Sequence, residues 1–187
     1  MDLEMTWLNP FRHGVVEFGG IVMDEKFKII AELYRDICPP EDAMIDPEAL
    51  EYNGFTLDRI ARWKSYDAFV NDFEIFFDAY FPTNPPIIVW QYVTADIVFL
   101  ESIFSAVGRN DLILKLGNDV IDTKSIANYD NAIARYNGKK LPYQSTSLSK
   151  PGGLAEVFGV KNYKAHSAQW DIYATREILM RMLKIGE

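Results

Sequence analysis

Alternation of apolar and polar residues in the first third of the chain predicts β-strands. A short strand over 1–5 is followed by two β-rich runs, 15–22 and 28–34, which flank the polar turn 24–26. Extended runs joined by a short polar segment usually pair with each other. These two runs are therefore predicted to form an antiparallel hairpin.

After residue 65 the apolar spacing changes to the period of an α-helix. Ser65 can cap a helix that carries its phenylalanines on one face, and this aromatic face is expected to lie in the core. The elements predicted after that helix are a strand at 87–90, a helix at about 95–107, a strand at 120–121, and helices at 123–136, at 154–158 and from 171 onward. Strands first, followed by alternating strands and helices, predict a single α/β domain over residues 1–187 with a mixed sheet.

The net charge of −8 is unevenly distributed along the chain. Residues 131–165 contain six Lys or Arg and one Glu, a local charge of +5 that leaves −13 on the remainder. An acidic protein is poorly suited to extended, sequence-independent binding of nucleic acid. The basic segment is either an ordinary solvated surface or a guide for a polyanion toward a neighbouring site.

Two absences in the sequence narrow the chemistry and the location. The single cysteine, Cys38, excludes an internal disulfide, and without a Cys/His cluster a structural zinc site is not expected. Acidic residues directly after Met1 argue against a signal peptide, and the longest apolar run, 86–100, is interrupted and too short to cross a bilayer. We therefore expect a soluble, cytoplasmic protein with no membrane partner.

Asp171 is an acidic residue on the apolar side of a predicted helix. It shares a stripe with Ile178, Met182 and Ile185, and His166 stands five residues before it. A carboxylate that faces apolar packing is costly unless a cation or hydrogen-bond donors meet it. Taken alone, Asp171 is better explained as an acid that interacts with the helix N-terminus.

Asp2, Glu4 and Asp96 occupy similar positions. Asp2 and Glu4 lie two apart on a strand, so their side chains share one face and repel each other, although a frayed chain end would tolerate them. Asp96 lies on the apolar stripe of its helix, although it could also be an ordinary acid in a first helical turn. Together with Asp171 and a nearby histidine, these placements favour a site for Mg²⁺ or Mn²⁺ with oxygen ligands. Such a site suits metal-assisted phosphodiester hydrolysis.

The sequence around these acids resembles the DEDDh 3′→5′ exonucleases. The segment 2–6, Asp-Leu-Glu-Met-Thr, is similar to the first motif of the family and to oligoribonuclease in particular, whereas the segment 45–55 is similar to the proofreading subunit of bacterial DNA polymerase III. Asp96 and the apolar residues after it are similar to the second motif, and the third, His-x-Ala-x-x-Asp, ends at Asp171. The three motifs occur in the family's order and span nearly the whole chain.

The resemblance implies a ribonuclease H-like, three-layer α/β fold with a mixed, five-stranded central sheet flanked by helices, and two divalent metal ions. By position, it assigns Asp2, Glu4 and Asp171 to the first metal, with Asp2 bridging to the second. Asp96 would act on the second metal, and His166 would be the general base for the attacking water.

The resemblance also implies a surface that holds the 3′-terminal nucleotide. Its residues are Leu3, Met5, Thr6, Trp7, Glu17, Asn53 and Tyr92. Trp7 either stacks on a terminal base or crowds the entrance, and Tyr92 either stacks on a base or belongs to the core. Glu17 is either a supporting or 3′-end contact or an exposed strand residue. Asn53 either touches the terminal nucleotide or forms a turn beside Gly54.

These features together predict a metal-dependent 3′→5′ exonuclease that releases nucleoside 5′-monophosphates from single-stranded nucleic acid. DNA is slightly favoured over short RNA because of the 45–55 segment, and a homodimer or a polymerase partner is compatible with the family. The alternative is a non-catalytic or weakly active 3′-end-binding or polymerase-associated module of the same fold. Only Met1 precedes Asp2, where the family has several apolar residues, so the first strand is either shortened or continued upstream.

Overall fold

Three antiparallel strands form the first sheet in a computed structural model that describes residues 1–161 and 163–185. The strands are β1 (Asp2–Met5), β2 (Val15–Met23) and β3 (Ile29–Asp36), in the order β1-β2-β3. The turn between β2 and β3 is closed by Asp24, whose carboxylate accepts hydrogen bonds from the backbone N–H groups of Lys26 and Lys28. The predicted antiparallel hairpin is therefore confirmed.

Two parallel strands form the second sheet. β4 (Ile88–Trp90) pairs with β5 (Val120–Asp122), and the connection between them contains α4 (Val93–Ala106) and α5 (Asp111–Lys115). Two neighbouring parallel strands need such a crossover because the chain must return to the end of the sheet at which the first strand began. The predicted strand–helix–strand order is thus present.

The remaining helices cover the strands or close the ends of the domain. Within the described residues they are α1 (Pro47–Asn53), α2 (Leu57–Ile60), α3 (Tyr66–Tyr80), α6 (Thr123–Tyr136), α7 (Leu154–Val157) and α8 (Ala168–Met182). The sequence pattern does not reveal α2 and α5, because helices of four and five residues are too short to show an apolar period. No helix in 1–161 or 163–185 is long and apolar enough to cross a membrane.

Helices pack on both faces of the first sheet. On β2, the ring of Phe18 packs against Phe69 of α3 with 5.1 Å between centroids. A Cβ atom on the next residue, Gly19, would lie 2.6 Å from the carbonyl oxygen of Ala168 in α8. Because neighbouring residues of a strand point to opposite faces, α3 and α8 lie on opposite sides of the sheet. This arrangement confirms the three-layer α/β fold, and the aromatic face of α3 is buried in its core.

The five predicted strands are present, but their hydrogen-bonded ladder is interrupted between β1 and β4. β1 pairs with β2 as far as Asp2 and Gly19, so the described chain has no strand beside 20–23 on that side. The α-amino group of Met1 donates a hydrogen bond to the carbonyl oxygen of Val89 at 2.9 Å and links the two sheets. An apolar cavity of about 340 Å³ lies between this part of β2 and β4. The residue that makes this link, Met1, precedes the four-residue strand β1.

Side-chain hydrogen bonds hold the long polar segment 137–153 against the domain. Asn131 of α6 donates to the carbonyl oxygen of Tyr143 at 3.0 Å and accepts from its backbone N–H at 3.1 Å. The amide of Gln91, which directly follows β4, donates to the carbonyl oxygen of Thr146 at 3.0 Å. The segment therefore lies beside the carboxyl end of β4, where it borders the candidate site.

Candidate active site

Three buried carboxylates from two elements converge at the end of β1. Asp2 and Glu4 lie on one face of β1, and Asp171 lies in the first turn of α8. One oxygen from each can be chosen so that all three atoms lie within 4.8 Å of one another. The structure thus brings together three of the four acids that the resemblance assigns to metal binding.

Glu17 positions the N-terminus of α8 beside β1. Glu17 on β2 pairs with Glu4 across the β1–β2 ladder, and the Glu17 carboxylate accepts a hydrogen bond from the backbone N–H of Ala168 at 2.8 Å. A second hydrogen bond comes from the hydroxyl of Tyr34 on β3. Glu17 is 2% exposed, so the alternative of an exposed strand residue is wrong. This carboxylate caps the helix that carries Asp171, and it therefore acts on the site through backbone geometry.

The electrostatics of the three carboxylates favour a bound cation. Burial raises the pKa of Asp171 to about 7, and the adjacent Tyr163 hydroxyl opposes that shift. Burial, followed by repulsion from Asp171, raises the pKa values of Asp2 and Glu4 well above their ordinary range. The buried Oδ1 of Asp171 has no partner at hydrogen-bonding geometry among the described residues. Oxygen ligands with an unsatisfied buried atom among them fit a hard divalent ion.

Asp96 is not among the acids whose oxygens lie within 4.8 Å of one another. It is buried on the apolar stripe of α4, where its Oδ2 accepts a hydrogen bond from the indole N–H of Trp90. Burial raises the pKa of Asp96 to about 7, and the Trp90 hydrogen bond opposes the shift. Its charge still contributes to the raised pKa of Asp2, so the two carboxylates are neighbours. The inward placement predicted from the helical period is present, but the carboxylate does not join the cluster of three.

His166 lines the same pocket as the three carboxylates. The pocket has a volume of about 210 Å³ and is also bordered by Leu3 and Tyr92. The imidazole is half-buried, and this burial lowers its pKa, so the neutral form dominates near pH 7. Its ring packs against Tyr52 of α1 with 3.8 Å between centroids. A neutral imidazole at the rim of the pocket can accept a proton from a reactant held there.

The other residues predicted to hold substrate divide into two groups. Leu3 is buried beneath the pocket, Met5 is half-buried, and the rings of Trp7 and Tyr92 are partly exposed, so the core alternative for Tyr92 is wrong. The side chains of Thr6 and Asn53 are committed to the protein itself. The buried Thr6 hydroxyl donates to the carbonyl oxygen of Met44 at 2.7 Å and accepts from the N–H of Gly14, and the Asn53 amide donates to the carbonyl oxygen of Met5 at 3.3 Å.

Several residues of the site were not singled out by the sequence. The pocket also contains Gln91, Lys124, Ser147 and Leu148, while Tyr52 and Tyr163 contact His166 and Asp171. Gln91 could have been found, because it is a polar residue that interrupts the apolar run 86–100. The others come from segments distant in sequence, and their approach depends on how helices and loops pack.

Comparison with known proteins identifies the family of this domain. Residues 1–179 match the family model described as Exonuclease, of the RNase T type. The chain belongs to the exonuclease family. This membership confirms the resemblance inferred from the three motifs. No curated protein sequence matches the chain significantly.

Solved structures of exonucleases share this fold. Escherichia coli Exonuclease I, in complex with a dT13 oligonucleotide, has 23% identity and a TM-score of 0.71 over 97% of this chain and 39% of its own. Cell-death related nuclease 4 has 16% identity and a TM-score of 0.75 over 99% of this chain and 62% of its own. Exonuclease I of Methylocaldum szegediense has 20% identity and a TM-score of 0.70 over 96% of this chain and 39% of its own. The chain therefore spans about two fifths of the length of the Exonuclease I chains.

Proposed function

We propose that this exonuclease domain hydrolyses the terminal phosphodiester at the 3′ end of single-stranded nucleic acid and releases nucleoside 5′-monophosphates. The observation that carries the proposal is the convergence of Asp2, Glu4 and Asp171 in a pocket that His166 also lines. Family membership supplies the reaction class. Direction and product are part of the proposal and follow the resemblance to DEDDh enzymes.

Two divalent ions, Mg²⁺ or Mn²⁺, are the cofactors that we assign to the site. Asp2, Glu4 and Asp171 would hold one ion, while Asp2 and Asp96 would face the other, with Asp96 acting through water. When bound, such ions polarise the phosphate and make water a stronger nucleophile. The fit rests on the oxygen-only donor set and on the buried, unsatisfied Oδ1 of Asp171.

His166 is the proposed general base. The oxygen of the attacking water forms a bond to phosphorus as the bond from phosphorus to the 3′-oxygen breaks, and the water proton passes to a ring nitrogen of the imidazole. The leaving 3′-oxygen is protonated by solvent. Burial keeps the imidazole neutral and ready to accept that proton. The Tyr52 ring limits the orientations that the imidazole can adopt.

The terminal base would be held without reading its identity. Leu3 lies beneath the pocket, and the ring of Tyr92 borders it with 48% of its surface exposed, so a base can pack between them. DNA is slightly favoured over short RNA, in line with the likeness of the 45–55 segment to a DNA proofreading subunit. Escherichia coli Exonuclease I, whose fold is shared, has been crystallised with dA16 and dT13 oligonucleotides.

The test is digestion of matched DNA and RNA oligonucleotides in the presence of Mn²⁺. Label at the 5′ end should yield a ladder that shortens from the 3′ end, and chromatography should identify nucleoside 5′-monophosphates. Asp171→Ala and His166→Ala should abolish or strongly reduce cleavage, and EDTA should do the same to the wild type. Release of oligonucleotides, or of label from the 5′ end first, would contradict the proposal.

A non-catalytic 3′-end-binding module is the alternative, and the engagement of Asp96 by Trp90 is the observation that favours it. If the Trp90 hydrogen bond persists when metal is added, the second ion lacks its ligand and cleavage should be weak. Fluorescence anisotropy with a labelled oligonucleotide separates the two functions. Binding of 3′ ends without cleavage in Mg²⁺ or Mn²⁺ would support the module and overturn the enzyme. A homodimer or polymerase partner stays a prediction.

A further inference from the structure

The outward face of α6 carries an exposed apolar stripe. Tyr129, Ile133 and Tyr136, at the helical spacing i, i+4 and i+7, form what we call the α6 stripe. Tyr129 is 65% exposed and Tyr136 is 89% exposed, whereas the opposite side of the helix buries Ala127 and Ala134. An amphipathic helix normally places polar residues on its solvent side. Large aromatic rings in that position mark a surface that binds a partner.

The charge around the α6 stripe is positive. Arg135 in the last turn and the following residues Lys139 and Lys140 are exposed. The one carboxylate of α6, Asp130, is half-buried, with an oxygen 3.3 Å from the hydroxyl of Tyr143. In a chain with a net charge of −8, this face is therefore a local region of opposite sign. Exposed aromatic rings bordered by Lys and Arg suit single-stranded nucleic acid, whose bases stack while its phosphates bind cations.

The N-terminal end of the helix that carries the α6 stripe borders the candidate active site. Lys124, in the first turn of α6, lines the carboxylate pocket, and its ammonium lies 3.2 Å from the centroid of the Tyr92 ring. Asp122 caps α6 and also accepts a hydrogen bond from the backbone N–H of Tyr92 at 2.8 Å. From Lys124 to Tyr136 the helix extends about 18 Å. That length matches about five stacked nucleotides at ~3.4 Å each.

We propose that the outward face of α6 is the binding surface for the part of the single strand that lies upstream of the 3′-terminal nucleotide. Bases stack on Tyr129 and Tyr136, and phosphates pair with Arg135, Lys139 and Lys140. The inference rests on the proposed function and deepens it, because it makes strands of about six nucleotides or more better substrates than dinucleotides. Contact through stacking and charge is independent of base sequence.

The test compares a dinucleotide with a twelve-nucleotide strand as substrates of the whole chain. The wild type should show a lower KM for the longer strand. The double variant Tyr129→Ala/Tyr136→Ala should raise the KM for the long strand about tenfold, leave kcat unchanged, and leave dinucleotide cleavage unchanged. Tyr129→Phe/Tyr136→Phe keeps the rings and should behave as the wild type. The matched control is Tyr80→Ala, which removes a partly exposed aromatic ring from α3 on the other side of the sheet. This variant should leave KM and kcat unchanged for both substrates.

Two further measurements keep the outcome distinct from that of the proposed function. The variant Lys139→Ala/Lys140→Ala should reduce the salt dependence of long-strand binding by about 1.4 in the log–log slope, since each phosphate contact contributes about 0.7 for single strands. Fluorescence anisotropy with the Asp171→Asn protein measures binding of a labelled oligonucleotide to the α6 stripe, even if no substrate is cleaved. Equal KM values for both lengths, or an unchanged length preference in the double alanine variant, would overturn the inference and leave the exonuclease intact. The inference would also be overturned if the double alanine variant changed the oligomeric state measured by sedimentation but left the KM unchanged.

Discussion

Two groups of acidic residues in this molecule show opposite electrostatics. On the surface, Glu74 of α3 lies beside Arg109 and Lys115, at 2.6 Å and 3.3 Å between charged atoms, and its pKa is lowered to about 2, chiefly by Arg109. In the pocket, burial raises the pKa of Asp171 to about 7, and the neighbouring Glu17 charge adds to that shift. The same chemical group is thus stabilised in its charged form at one place and destabilised at the other.

The difference lies in where the fold supplies cations. The chain contains 19 Lys and Arg residues, and several of them neutralise the acids of α3. None forms an ion pair with Asp2, Glu4 or Asp171 within the described residues, although Lys124 borders the same pocket. The surface cluster therefore contributes modestly to stability, whereas the pocket reduces stability until a metal ion occupies it.

The largest effect is expected from Asp171→Asn. Loss of a metal ligand removes several kcal/mol of charge stabilisation, so cleavage should fall about 10³-fold or more. The metal-free variant should nevertheless melt at a higher temperature than the metal-free wild type, because one buried charge is gone. Oligonucleotide digestion and thermal melts in EDTA provide the two readings. Asp78→Asn, in the surface cluster, is the matched control and should leave cleavage unchanged; retained activity in Asp171→Asn would contradict the assignment.

Metal and pH should have coupled effects on stability. Asp96 and Asp171 have folded-state pKa values of about 7, above their ordinary values. The folded protein therefore binds more protons than the unfolded chain between about pH 4 and pH 7, and metal-free stability should fall as pH rises through that window. Mn²⁺ or Mg²⁺ at 100 times its dissociation constant should add about 2.7 kcal/mol at pH 7 and thereby offset part of this loss. Melts over this range with and without metal measure both effects, and a flat profile in EDTA would argue against buried, uncompensated carboxylates.

Glu17→Ala should weaken the site without removing a ligand. The substitution frees the N–H of Ala168 and loosens the start of α8, and the loss of such supporting contacts typically lowers metal affinity or activity about 10- to 100-fold. Glu32→Ala is the control, because Glu32 also joins β3 to α8, through the exposed hydroxyl of Tyr173. Calorimetric titration with Mn²⁺ should separate the two variants. Equal affinities would mean that the capping contact does not position Asp171.

The smallest effect is expected in the surface cluster. Because Glu74 and its partner Arg109 are both partly exposed to solvent, Glu74→Gln should lower the melting temperature at pH 7 by no more than about 2–4 °C and leave cleavage unchanged. The depressed pKa of Glu74 means that its contribution is present above about pH 4.5 and is lost as pH falls toward 2. The stability difference between variant and wild type should therefore disappear in acid. A difference that persists at pH 2 would contradict the ion-pair origin of the effect.

The sequence predicted the parts of the fold and site that depend on local periodicity. Asp2 and Glu4 share a face because a strand has period two, and the helical period placed Asp96 and Asp171 inward. The α/β class with a mixed sheet followed from the order of elements, and the three-layer fold followed from the resemblance of the three motifs to the family. By contrast, the hydrogen bond from the Trp90 indole to Asp96 could not be predicted, because it depends on how β4 and α4 pack together.

Other features could not be predicted because they depend on contacts between distant segments. The ring of Tyr52 meets His166 only after α1 packs beside the loop before α8, and no spacing within either segment indicates that contact. The proximity of Tyr163 to Asp171 likewise depends on the path of that loop. The interrupted sheet depends on how far β1 extends beside β4, which is a matter of length and not of apolar pattern.

The absence of a side chain at Gly19 has a consequence for ion selectivity. A methyl group at this position would meet the backbone of Ala168 at 2.6 Å, so α8 would have to shift away from the sheet and take Asp171 with it. Mg²⁺ requires short, nearly ideal octahedral bonds, whereas larger ions such as Ca²⁺ accept longer and less regular ones. We therefore expect Gly19 to fix the position of Asp171 and, through it, the size of ion that the proposed metal site accepts. Widening this backbone clearance would favour larger ions that bind without supporting the same chemistry.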